Sequence, residues 1–241
     1  MKKSKIMLLG GAGFLLLILL VLISLFRISA EKFMNLSYNA RTLIDGAGII
    51  GSKDYKFRNF NALSFESVWE VIVIEGDDFG INLTADEALL KEIEVSQSGK
   101  TVTFSYDKFL RSNSDKDYPV KAQITIPDLK RVDFKGMGSI LLKNFTLDEL
   151  NIDNAGASNF EAENVSIKQL NLIVQGAANA RLFNINVENC NLDISGAANI
   201  EINMNGGVLS GKISGAASVV YKGIVSEESV SISGIGHLER Q

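Results

Sequence analysis

The chain has 241 residues, 46% of them hydrophobic, and a net charge of −4 from 24 basic and 28 acidic side chains. That length bounds it to one ordinary domain, or a small domain with a repeat array, beyond an N-terminal segment. An acidic balance with no basic stripe excludes a nucleic-acid surface, and a single cysteine, Cys190, excludes an internal disulfide or a thiolate metal centre.

Lys2, Lys3 and Lys5 precede Ile6 to Phe26, 21 positions without a charge. About 20 apolar residues suffice to cross a bilayer, so the pattern predicts one N-terminal transmembrane helix, with the lysines holding the N-terminus in the cytoplasm. The bulk of a single-pass membrane protein of this kind is extracytoplasmic, in the periplasm or at the cell surface. A cleaved signal peptide ending near Ile28-Ser29-Ala30 is the competing expectation, with secretion as its consequence. Residues 1–30 are thus an anchor or signal peptide, and 31–56 a juxtamembrane spacer of mixed polarity.

Residues 57–127 carry strand signals. Phe57 to Phe65 and Val68 to Glu75 are strand-like, with Trp69, Val71 and Val73 alternating against Val68, Glu70, Ile72 and Ile74. Ile81 to Ala85 is a further strand, followed by a single helical turn at Asp86 to Lys91. Ile93 to Ser96 and Thr101 to Tyr106 flank a Ser98-Gly99 turn and predict a hairpin. Asp107 to Tyr118 is a polar loop. Val120 to Ile126 alternates again and ends at Pro127.

From 128 to 241 the sequence repeats. Gly136, Gly156, Gly176, Gly196, Gly215 and Gly234 recur at intervals of 20, 20, 20, 19 and 19 residues, a period that means stacked supersecondary units. Four residues before each glycine stand Val132, Ile152, Leu172, Leu192, Gly211 and Val230. Four after stand Ile140, Phe160, Ala180, Ile200, Val219 and Leu238. A third apolar pair follows in the earlier coils, as in Phe145 and Leu147 or Val165 and Ile167. Three short strands in about 20 residues make one turn of a single-stranded parallel β-helix. Its expected hand is right, from the general preference of parallel crossovers. The fold expected is therefore all-β, a right-handed parallel β-helix preceded by hairpin or meander strands, which the pattern leaves open as a separate β layer or as early coils.

Successive coils of such a helix lie about 4.8 Å apart, so each residue faces its counterpart one repeat away. Three residues after the glycine the column reads Ser139, Asn159, Asn179, Asn199, Ser218 and His237; a second column holds Asn144, Asn164 and Asn184. Stacked amides pass hydrogen bonds from coil to coil, which makes these ladders structural.

The chemistry-bearing candidates are few. Asp133, Asp153 and Asp193 share a column that Ile173 interrupts and Lys212 follows, which describes a solvated face better than an acid pair or a calcium cluster. Glu161, Arg181 and Glu201 alternate in sign and predict exposed cross-coil pairs. His237 is the only histidine and stands without metal-ligating company. Asp115 and Asp117 lack the spacing of a calcium loop. Cys190 occupies a column of leucines and reads as a small buried hydrophobe. No catalytic residue, metal site or cofactor is expected.

The Gly-Ala-Ala-Asn corners at 176–179 and 196–199, with Ile-Pro-Asp-Leu at 126–129 and Val-Asp-Phe-Lys-Gly-Met-Gly-Ser at 132–139, resemble the putative auto-transporter adhesin family with a head GIN domain. The resemblance spans about 185 residues from Phe57 and implies a β-helical envelope protein. The function expected is a non-enzymatic cell-envelope protein presenting an extracytoplasmic β-helix for adhesion or scaffolding. A carbohydrate-active lyase or hydrolase and a self-assembling envelope scaffold are the alternatives. Expected partners are the membrane through the N-terminal helix, a surface glycan or protein ligand, and further copies in a homo-oligomer, with no nucleic acid.

Overall fold

The computed structural model describes residues 42–111 and 119–241. In chain order the elements are β1 (Thr42–Ile44), β2 (Ile50–Tyr55), β3 (Ala62–Phe65), β4 (Val68–Glu75), β5 (Gly80–Asp86), the one-turn helix α1 (Glu87–Leu90), β6 (Glu94–Ser98), β7 (Thr101–Ser105), β8 (Lys108–Leu110) and β9 (Lys121–Ile126). The repeats supply β10 (Arg131–Phe134), β11 (Met137–Lys143), β12 (Thr146–Asn154), β13 (Ala157–Glu163), β14 (Ser166–Val174), β15 (Ala177–Ile194), β16 (Ala197–Asn205), β17 (Val208–Ile213), β18 (Ala216–Ile224), β19 (Glu227–Ile232) and β20 (Ile235–Arg240).

The repeats stack as a parallel β-solenoid. Val132 pairs with Ile152, Ile152 with Leu172, Leu172 with Leu192, Leu192 with Gly211 and Gly211 with Val230. Beside them Ile140, Phe160, Ala180, Ile200, Val219 and Leu238 form a second continuous register. Within one coil Leu147, Leu150, Ile152, Asn154, Phe160, Ala162 and Val165 are buried. Side chains alternate along a strand with a period of two; the longer steps at 147–150, 154–160 and 162–165 mark three corners and so three short faces per coil.

The expected architecture is corrected in one respect and completed in another. Among the described residues no helix is long and apolar enough to cross a membrane, and residues 6–26, on which the transmembrane expectation fell, lie outside them. Of the two readings open for 57–127, the early-coil one describes β3, β4, β7 and β9, which are part of the stack. β3 pairs in parallel with β10 (Leu63 with Val132) and β4 with β11 (Val71 with Ile140). On their other side, β7 pairs in parallel with β3 (Leu63 with Val102) and β9 with β4 (Val71 with Ala122). The chain thus lays down β3 and β4, then β7 and β9 beneath them, and returns above with β10 and β11. Antiparallel strands extend the stack beyond this base: β6 lies along β7, β5 along β9, and β2 along β5.

Why this non-sequential order holds is visible in the core. Phe65 stacks on Phe104 of the coil below, with ring centroids 4.8 Å apart, and touches Phe134 of the coil above at 5.8 Å. Trp69 closes the cluster at 6.0 Å from Phe65 and 5.8 Å from Phe104. These four rings are almost wholly buried, and aromatic pairs of this kind add about 0.5–1.5 kcal/mol each beyond the area they remove from water.

Candidate binding groove on the outer face

One face of the solenoid is a long sheet in the order β2, β5, β9, β4, β11, β13, β15, continued by β16, β18 and β20. Strand alternation sends Val71, Ile124, Ile140, Phe160 and Ala180 inward and their neighbours outward. The outward side chains of its lower part line a groove of about 520 Å³. β4 supplies Glu70 and Ile72, β9 Lys121 and Gln123, and β11 Ser139 and Leu141. Asn159 and Glu161 come from β13, Arg181 from β15, and Asn82 and Thr84 from β5.

Charge in the groove is matched in pairs. Lys121 Nζ lies 3.5 Å from Glu70 Oε2, and Arg181 Nη1 donates to Glu161 Oε1 at 3.1 Å. Each pair joins adjacent strands at the same register, Glu70 opposite Lys121 and Glu161 opposite Arg181. Between the pairs Ile72, 38% exposed, and the half-buried Leu141 face outward. Asn82 is fixed from the far side, its Nδ2 donating to Ser52 Oγ at 2.8 Å and Asp54 Oδ1 at 2.7 Å. Every strand under the groove is paired on both edges, so the floor is rigid and its backbone is fully engaged.

The ladder residues lie as follows. Ser139, Asn159, Asn179, Asn199, Ser218 and His237 share one register column. Asn179 Nδ2 donates to Asn159 Oδ1 at 3.5 Å and Asn199 Nδ2 to Asn179 Oδ1 at 3.3 Å; Ser218 Oγ and His237 Nε2 stand 3.2 Å apart. The two lowest rungs, Ser139 and Asn159, also line the groove. At the second corner Asn164 Nδ2 donates to Asn144 Oδ1 at 3.0 Å, and both residues hold positive φ, 64° at Asn144 and 54° at Asn164. Asparagine tolerates that left-handed conformation better than most residues. Asn184 differs: it is exposed within the unbroken strand β15, whose register to β16 shifts between Leu182 and Val187.

The aspartates of the 133–153–193 column are likewise engaged, whereas Glu201, opposite Arg181 in register, makes no ion pair among the described residues. Arg131 reaches Asp133 at 2.7 Å and Asp153 at 3.4 Å, and Lys212 reaches Asp193 at 3.2 Å. Lys168 sits 2.7 Å from Asp148 and holds its carboxyl below the usual range. Burial pushes the Cys190 thiol up to about 12. Among the described residues no group of three His, Cys, Asp or Glu side chains could hold a metal ion. Asp115 and Asp117 lie outside the described residues.

Sequence reasoning missed the groove because Glu70, Ile72, Asn82 and Lys121 belong to strands outside the repeat. The signal available was the outward-facing Ile72 in a strand whose inner face was already complete with Trp69, Val71 and Val73.

A family model described as putative auto-transporter adhesin, head GIN domain, matches residues 59–224. The fold is similar to that of a crystal structure of a putative adhesin from Bacteroides fragilis NCTC 9343, with a TM-score of 0.62 and 21% identity over 82% of this chain and 100% of that one. It is also similar to a putative lipid binding protein from Parabacteroides distasonis ATCC 8503, with a TM-score of 0.51 and 18% identity over 83% of this chain and 100% of that one. No curated protein matches.

Proposed function

The chain belongs to the family of putative auto-transporter adhesins with a head GIN domain, and we propose that it is a non-enzymatic cell-envelope protein whose solenoid presents an extracytoplasmic face for adhesion. The observation that carries this is the state of the charged groups on that face. Both carboxylates of the groove, Glu70 and Glu161, are neutralised by a cation on the adjacent strand. A general acid–base site instead sets two titratable groups in environments that push their protonation apart. Matched pairs on paired strands make a stiff, pre-shaped surface, and such a surface favours recognition because little order has to be imposed on binding.

The test is retention of cells that carry the full chain on surfaces coated with envelope glycans or with matrix proteins, against cells lacking it. Greater retention, competed away by the purified full chain, is the expected result. Equal retention with and without the chain on every coating would overturn the proposal, as would release of saccharide fragments from polysaccharide by the purified protein.

A further inference from the structure

We infer that the groove under Arg181 recognises a short neutral oligosaccharide; the inference rests on the adhesion proposal and names its ligand. Its first support is charge. Among the residues lining the groove, the Glu70–Lys121 and Glu161–Arg181 pairs at 3.5 and 3.1 Å leave no surplus of either sign. A phosphorylated, uronate-rich or cationic ligand would leave its own charge unanswered or break a pair already formed, and unmatched charge at an interface is a strong discriminator.

Hydrogen-bonding capacity is the second support. Among the described residues the Gln123 amide and the Ser139 hydroxyl line the groove without a side-chain hydrogen bond to another residue. An amide and a hydroxyl each offer a donor and an acceptor. Sugar hydroxyls are likewise both donor and acceptor, so they can satisfy such groups where a purely accepting anion cannot. Ile72 and Leu141 between the ion pairs supply apolar surface for the C–H face of a sugar ring.

Two other ligand classes fit less well. A peptide added as a strand needs a free sheet edge, and the strands beneath the groove are paired on both sides. A lipid chain would lie against four charged side chains, a poor exchange for hydrocarbon. At about 520 Å³ the groove falls within the usual ~300–1,000 Å³ of small-ligand sites.

The test is calorimetric titration of the purified full chain with maltotriose, cellotriose, mannotriose and the N-acetylglucosamine trimer, and with trigalacturonate as the acidic comparison. Saturable binding of at least one neutral trisaccharide, with none for trigalacturonate, is expected. Ile72→Glu and Gln123→Ala should each weaken that binding about tenfold or more, with an unchanged melting temperature showing that the fold is intact. Ile224→Glu, an exposed position outside the groove, should leave binding as it is. Failure of every neutral trisaccharide, equal binding of trigalacturonate, or binding that survives both groove substitutions would overturn the inference. If retention of cells persists while the neutral sugars fail, the inference alone falls; if retention fails too, the adhesion proposal falls with it.

Discussion

The Cα of Gly176 lies so close to the carbonyl oxygen of Gly156, one coil earlier, that an added Cβ would stand 1.9 Å from that oxygen. The same oxygen accepts the Ala177 N–H at 2.8 Å. The contact recurs up the stack, with Gly156 over Gly136, Gly196 over Gly176 and Gly215 over Gly196 at 1.8–1.9 Å. None of these four glycines has a positive φ. The column is glycine because two backbones touch there, not because the turn demands an unusual conformation. The alanines that follow are exposed and carry no such requirement.

Gly176→Ala should therefore lower stability by at least about 1–3 kcal/mol, the usual range for overpacking a fixed structure. The neighbouring exposed substitution Ala177→Ser should stay within about 0.5 kcal/mol of the parent. Urea unfolding of the full chain measures both. A Gly176→Ala midpoint equal to the parent's would mean that the coils do not approach as described.

Asp86 gives a pH dependence with a defined sign. Its carboxylate, 1% exposed, caps α1 through Ala88 N–H at 2.8 Å and ties down the preceding loop through Ala47 N–H at 2.9 Å and Gly48 N–H at 2.8 Å. Burial alone would raise its pKa, but the N–H groups of Ala47, Ala88, Gly48 and Leu89 outweigh burial and hold it below 3.8. A carboxyl depressed on folding stabilises above its unfolded value and loses that contribution as pH falls through the folded one. Asp86→Asn should cost about 1–3 kcal/mol at neutral pH, and the gap should narrow as the pH drops below about 4. Melting curves of both proteins across that range would refute the assignment if the gap stayed constant.

Phe104→Ala should cost about 3–5 kcal/mol, because it empties the ring position stacked 4.8 Å beneath Phe65. The loss should also loosen the attachment of β7 and β6 to the solenoid. Hydrogen exchange should therefore accelerate in 94–105 more than in 166–194. Uniform acceleration along the chain would contradict the stacking order at the base.

Cys190, 1% exposed with its thiol pushed up to about 12, should resist thiol reagents at pH 8 and react only when its coil opens. Labelling in increasing urea should track unfolding. Ready labelling of the native protein would contradict its place in the column with Leu150, Leu170 and Leu209.

The repeat was legible because each coil meets its neighbour at a fixed offset, so one physical demand is written again at every glycine and every inward Ile, Leu or Val. The Glu161–Arg181 pair was legible for the same reason. The base of the stack was not. β7 and β9 come between β3–β4 and β10–β11 in sequence but stack on the opposite side of β3 and β4, so no constant period links Leu63 to Val132 or Val102. The groove depends on that hidden order, since it sets Glu70 beside Lys121 and brings Asn82 alongside. Asn154 is a polar residue at a core position. It fills an inward position among Phe134, Val174 and Ile194, and its amide remains buried because Nδ2 donates to Ala177 O at 2.9 Å while Oδ1 accepts from Ser158 Oγ at 2.8 Å.

The most direct test of the binding face compares cells carrying the full chain with Ile72→Glu against cells carrying Ile224→Glu, on whichever coating retains the parent. Adhesion through the groove predicts that Ile72→Glu abolishes retention while Ile224→Glu preserves it, at equal surface amounts of protein. Equal retention of both would place adhesion elsewhere on the molecule and contradict the account.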